Sequence, residues 1–190
     1  MDKKELIRVN AIKVIAREGF HHARVKTIAE EAGIAAGTVY LYFKSKEEIL
    51  DYIFSVEHKK RADYVNDLYY RNEPIEKVVD GFIDFNYNCF IYEPDTAKVL
   101  YQEAVTVQLF KKQKAHECME KVYQAFSKIL IREKNRGGLR EEINVDVLSA
   151  SIMHFLRFSS FNILKQGLNI DFENWKKQLR SFVLYGIMGG

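Results

Sequence analysis

Lys26, Thr27, Thr38, Tyr40, Tyr42, Lys44 and Lys46 gather hydroxyl, phenol and ammonium groups into one short stretch of a 190-residue chain. Such groups suit an anionic or edge-rich partner: phenols and ammoniums reach phosphate oxygens, and threonine offers a hydroxyl or a methyl to a base edge. The small residues Ala35, Ala36 and Gly37 just before Thr38 would let the backbone approach without collision. Other chemistries lack a constellation. His21, His22, His58, His116 and His154 show no metal-ligand spacing with one another or with Cys89 and Cys118. No Gly-x-Ser-x-Gly, no phosphate-cradling glycine loop and no nearby Cys-His pair is present. The expectation is a non-enzyme without metal or cofactor.

The elements that must position these groups are short. The spacing predicts a first helix over Lys3–Glu18, with Ile7, Ala11, Val14 and Ile15 on one face, Gly19 ending it and Phe20 folding back. Thr27-x-x-Glu30 reads as a capping box that opens a second helix, which Gly33 ends. A third begins near Ala36 and reaches Phe43, too short to be stable alone. Packing must hold it, through Ile28, Ala29, Ala32, Ile34, Val39 and Phe43, while Gly33 supplies the sharp turn. This is a helix-turn-helix whose last helix keeps an outer face and an N-terminus free for a major groove. A generic three-helix unit would contain similar pieces, and on pattern alone both readings stand.

Ser45-Lys46-Glu47-Glu48 is a second capping box and starts a long fourth helix reaching Tyr70. Pro74 sits near the first turn of a fifth, which ends at Tyr92. Segments over 96–108 and 109–136 follow, stopped by Gly137-Gly138, and helices over Val145–Gln166 and Asp171–Gly186 complete an all-α chain of about nine helices.

Charge is unevenly placed. Through Lys46 nine Lys or Arg stand against five Asp or Glu, whereas the whole chain carries only +3. A basic head on a near-neutral body points to a polyanion for the head alone. Two separated cysteines, a charged N-terminus and no long apolar run fit a cytoplasmic protein with free thiols that neither enters a membrane nor leaves the cell.

The runs Thr27-Ile-Ala-Glu-Glu-Ala-Gly-Ile34 and Gly37-Thr-Val-Tyr-Leu-Tyr-Phe-Lys-Ser-Lys46-Glu-Glu-Ile-Leu50 resemble the DNA-binding signature of TetR-type transcriptional regulators. The match covers roughly the first fifty residues, and beyond them only helix number and length are similar. The resemblance carries DNA contact onto Lys26, Gly37, Thr38, Tyr40, Tyr42 and Lys46, which with Thr27, Ala36 and Lys44 make the candidate set. Many members have Ser-Lys where this chain has Ala35-Ala36, so base readout would lean on Lys26, Thr38 and DNA shape. The implied division is a DNA-binding domain over 1–46 and a helical effector-binding and dimerisation domain over 47–190.

In that body the eighth helix is apolar nearly all round, and the ninth carries a stripe of large apolar side chains. Phe155, Phe161, Trp175, Leu179 and Phe182 are the candidate dimer contacts, closing a four-helix bundle between two copies. The resemblance also implies a two-fold dimer and an inducer cavity. Candidate lining residues are Tyr87, Phe90, Tyr101, Tyr123, Phe126, Arg157 and Phe158. Arg157 sits in an apolar run and needs an anion: Glu103 or another acid, solvent at a dimer edge, or a ligand carboxylate or phosphate. The reading is a ligand-responsive regulator, a repressor of a palindromic operator released by a small apolar or amphipathic effector. Some TetR-type regulators of lipid metabolism bind acyl-coenzyme A, and this chain is compatible with such a ligand. The competing class is a helical lipid-binding or carrier protein whose basic head serves a membrane or a protein.

Overall fold

Apolar residues recurring every three or four positions, with two prolines in the whole chain, dictate helix throughout. The computed structural model describes residues 2–104, 113–166 and 171–187, with side-chain surroundings for 2–104, 114–155 and 171–185. The described residues form nine helices: α1 (Lys3–Glu18), α2 (Val25–Glu31), α3 (Ala36–Tyr42), α4 (Lys46–Tyr70), α5 (Ile75–Tyr92), α6 (Pro94–Gln102), α7 (Gln113–Asn135), α8 (Val145–Gln166) and α9 (Phe172–Ile187). Among them none is long and apolar enough to cross a membrane.

Most helix ends fall where the sequence places them, but three differ. α2 opens at Val25 with Arg24 before it and no side-chain cap, so Thr27 is not an N-cap. The chain turns earlier than the box implies, because the Ala23 amide already bonds the Gly19 carbonyl at 3.0 Å and Ile28 bonds Arg24 at 3.0 Å. At α4 the Glu48 amide donates to Ser45 Oγ at 3.3 Å, but the Glu48 carboxylate turns to the Lys44 amide at 2.6 Å, one residue before the reciprocal partner of a closed box. α6 starts with Pro94 in its first turn and ends at Gln102, short of the expected 108, with Glu103 as its C-cap, while Pro74 lies directly before α5 as expected. Between α6 and α7, residues 105–112 lie outside the described residues.

The chain clusters into two compact units, one of Met1–His58 with Cys89–Cys118 and one of Lys59–Asn88 with Met119–Gly190. In the first, Ile7, Ala11, Val14 and Ile15 of α1 bury against Ile28, Val39, Phe43, Ile49, Leu50 and Ile53, with Val99 and Leu100 of α6 in the same cluster. Buried carboxylates tie sequence-distant pieces together here. Glu103 accepts the Phe20 amide at 3.1 Å, and Asp51 accepts the Ala115 amide at 3.1 Å. Arg8 bonds Glu57 at 3.1 Å and is gripped by both oxygens of Glu5 at 2.7 and 2.8 Å. That grip holds the Arg8 guanidinium above its ordinary range and firmly charged.

The second unit has its own core, built from Val78, Val79, Phe82 and Ile83 of α5, Val122, Phe126 and Ile129 of α7, and Leu179, Val183 and Leu184 of α9. Phe82 and Phe126 meet edge to face at 4.9 Å. Two ion pairs tie α9 to α5: Lys176 to Asp84 at 2.6 Å and Arg180 to Asp80 at 3.1 Å.

Candidate nucleic-acid interface

α3 has seven residues and no side-chain cap at Ala35, so its own hydrogen bonds cannot hold it. The turn before it does part of that work. Gly33 lies at φ 64°, the left-handed region that favours glycine, and its neighbours complete a Schellman end to α2: Gly33 N–H to Glu30 O at 3.1 Å and Ile34 N–H to Ala29 O at 3.0 Å. Packing supplies the rest. Val39 is fully buried, and Phe43 sits against Tyr52 with ring centroids 5.4 Å apart. The Lys4 ammonium lies 5.4 Å from the Phe43 ring and 4.9 Å from that of Tyr52.

With Val39 inward, a turn of about 100° per residue puts Gly37 and Leu41 on the opposite pole, Tyr40 on one flank, and Thr38 and Tyr42 on the other. Exposure agrees: Leu41 is 82% exposed, Tyr40 54% and Tyr42 38%, with Gly37 also open and Thr38 half-buried. Gly37 has no internal reason to be glycine. Its φ lies outside the left-handed region, and an added Cβ would meet nothing within 4 Å. Ala36 differs, since its methyl packs against the core of this unit.

The cations divide. Lys26 and Lys44 are exposed, with Lys26 only loosely paired to Glu30 at 3.9 Å. Lys46 is engaged internally. Its ammonium donates to the carbonyls of Phe20 at 2.6 Å and His21 at 3.1 Å, and lies 4.5 Å from the Phe20 ring. The sequence treats Lys46 as a phosphate contact; the geometry makes it first a strap from the start of α4 to the end of the α1 turn. Thr27 is half-buried in the first turn of α2. Leu41 is the residue of this surface absent from the sequence-derived set. A signal for it existed: Val39 and Phe43 inward at i and i+4 leave i+2 outward.

The other candidates are not all brought together. Phe90 is buried in the first unit, stacked with Tyr101 at 5.0 Å. In the second, Phe126 is core, Tyr87 stacks on Phe172, and Tyr123 lies 6.1 Å from His154. The side chains of Arg157, Phe158 and Phe161 lie outside the described residues. Tyr123 and His154 line a groove of about 560 Å³ between α7 and α8 whose floor carries Ser127 and Ser149, hydroxyls 2.8 Å apart. Of the candidate dimer contacts, Leu179 is 6% exposed and faces its own core, and Trp175 is half-buried against it. Phe182 stays 66% exposed, with Phe155 stacked on it at 4.6 Å, and Tyr185 is 84% exposed.

A short packed helix, presented tip outward after a glycine turn and flanked by phenols and lysines, defines a helix-turn-helix DNA-binding protein with a helical body. The sequence model described as "Bacterial regulatory proteins, tetR family" matches residues 7–53, which take in most of α1, the helix-turn-helix and the start of α4. Residues 7–53 thus carry the DNA-binding signature of the TetR family of transcriptional regulators. It is 27% identical over 135 residues to the fatty acid metabolism regulator protein of Bacillus subtilis, covering 71% of this chain and 70% of that one. Its fold matches FadR of Bacillus subtilis in complex with stearoyl-CoA, with a TM-score of 0.88 at 23% identity over 97% of this chain and all of that one. It also matches the fatty acid degradation regulator FadR of Bacillus halodurans, with a TM-score of 0.86 at 23% identity, covering 97% and 95%. At those identities the structural likeness is one of fold.

Proposed function

We propose that this regulator is a repressor that binds a palindromic operator as a homodimer and is released by a long-chain acyl-coenzyme A. The observation that carries DNA contact is the outer pole of α3. Gly37 is bare there, with open space around it, so the turn lets another molecule approach its backbone closely. A duplex backbone or base edge can use that approach, with Thr38 beside it and the Tyr40 and Tyr42 phenols on the flanks.

One reading head makes few contacts. Two, related by a two-fold axis and about 34–36 Å apart, would read both halves of a palindrome. Exposed Phe182, backed by half-buried Phe155, with exposed Tyr185 a turn further along α9, offers the apolar self-complementary face that such a dimer buries. The acyl-coenzyme A effector rests on the relatives named above, and its thermodynamic role is fixed by linkage. An effector that favours the DNA-incompetent state weakens DNA binding by the same factor by which DNA weakens the effector, typically about 1–3 kcal/mol.

The test is titration of the full chain with randomised duplex DNA over a range of salt, then with stearoyl-CoA added to the duplexes that bind. The expected slope of log affinity on log salt is about −0.9 for each phosphate neutralised, with a fall in affinity of about 5- to 150-fold on adding stearoyl-CoA. Binding to anionic lipid vesicles without duplex binding at low salt would sink the regulator in favour of a carrier. Duplex binding indifferent to stearoyl-CoA would remove the effector alone.

A further inference from the structure

We infer that Leu41 is a specificity-determining residue that reads the C5-methyl group of a thymine in the operator's major groove. The inference rests on α3 being the DNA-reading helix. Leu41 is 82% exposed on a seven-residue helix whose opposite pole, Val39, is fully buried. It therefore contributes little to holding α3 in place.

Its direction adds to this. Helical side chains lean toward the N-terminus and cover the turn before their own Cα. One turn before Leu41 stands Gly37, with no side chain and open space around it. The isobutyl group stands beside that bare turn with no side chain of the turn against it, so the outer pole of the helix is apolar. Each neighbour on the flanks, Thr38, Tyr40 and Tyr42, ends in a hydroxyl that can serve a phosphate or a polar base edge. Leu41 can serve neither. Against a phosphate or a purine N7 it would strand an acceptor without its water, at a cost. The major-groove edges of the four base pairs offer one apolar surface, the thymine methyl, and that is the surface a leucine can cover with gain. Half-buried Thr38, which can offer a base edge either its hydroxyl or its methyl, stands on the flank, whereas Leu41 stands at the pole.

The full chain is used to enrich duplexes from a randomised DNA pool, and each thymine of an enriched duplex is then replaced by deoxyuridine. That exchange keeps base pairing and removes only the methyl. One deoxyuridine position in each half-site should weaken wild-type binding about fourfold, the worth of one buried methyl. Leu41→Ala should lose a similar factor for each half-site on the thymine duplex, become indifferent to deoxyuridine at that position, and keep the wild-type unfolding midpoint. The inference is overturned if Leu41→Ala retains the wild-type response to deoxyuridine, or if the response vanishes in Thr38→Ala instead. Failure to enrich any duplex removes the DNA reading itself, and this inference with it; enrichment without a Leu41-dependent methyl effect removes this inference alone.

Discussion

α3 and α9 both leave large apolar side chains in the open, yet the two faces call for different partners. On α3 the exposed Leu41, Tyr40 and Tyr42 surround a bare glycine and share the unit with exposed Lys26 and Lys44. On α9, Phe182 and Tyr185 are exposed without such a glycine between them, and Phe182 is already stacked on Phe155 of α8. A phenol and a lysine around a glycine suit a charged, grooved polymer; a stacked phenylalanine pair suits another apolar face. The helices also differ in what keeps them helical. α3 has seven residues and depends on its neighbours, while α9 has sixteen and is clamped to α5 by two ion pairs. Exposure alone therefore does not name a partner; the polar groups within reach of the exposed carbon do.

The largest effect should separate holding α3 from using it. Phe43 is 2% exposed beneath α3, so Phe43→Ala opens a cavity and should cost about 3–5 kcal/mol of stability in urea unfolding, with DNA binding lost as α3 loosens. Next comes the face on α9. Phe182→Glu places a charge where an apolar partner is proposed and should cost the dimer about 2 kcal/mol or more while leaving helical content intact. Sedimentation would then give monomers at concentrations where the wild type is dimeric. An unchanged sedimentation profile would assign the Phe155 and Phe182 face to something other than self-association and dissolve the contrast between the two helices.

The helices were legible because their signals are local. Gly19 and Gly33 at positive φ, the Ser45 cap and the 3.6-residue spacing of Ile7, Ala11, Val14 and Ile15 are properties of a few adjacent residues. The helix-turn-helix was legible for the same reason, with its turn and both its helices inside twenty residues. What escaped was set by contacts distant in sequence. Nothing near Leu179 tells whether its side of the α9 stripe meets its own core or a partner, since Val122 and Phe126 of the same core are more than fifty positions away. Glu103 is another case. In the fold its carboxylate takes the amide of Phe20, eighty-three positions earlier, a partner no local pattern names. The start of α2 was misplaced because Thr27-x-x-Glu30 is a valid local signal that a competing turn at Gly19–Ala23 pre-empts.

Lys44 and Lys46 stand two residues apart and sharpen the division between scaffold and contact. Lys46 spends its ammonium on two carbonyls and a ring of the same unit, so Lys46→Ala should cost about 1–2 kcal/mol of stability by removing charge-assisted hydrogen bonds. Its ammonium keeps its charge but is held on those carbonyls rather than on a phosphate, so the salt slope of DNA binding should barely move. Lys44 has an exposed side chain, and the contact it makes nearby comes from its backbone amide to Glu48. Lys44→Ala should therefore leave the unfolding midpoint within about 0.5 kcal/mol of the wild type and lower the salt slope by about one for each reading head. The reverse pattern, with a flattened slope for Lys46→Ala and an unfolding loss for Lys44→Ala, would mean that the strap opens when DNA arrives and that the ammonium leaves its carbonyls for a phosphate. Urea unfolding and salt titration of the two variants side by side distinguish these outcomes, because the two cations exchange roles in one and keep them in the other.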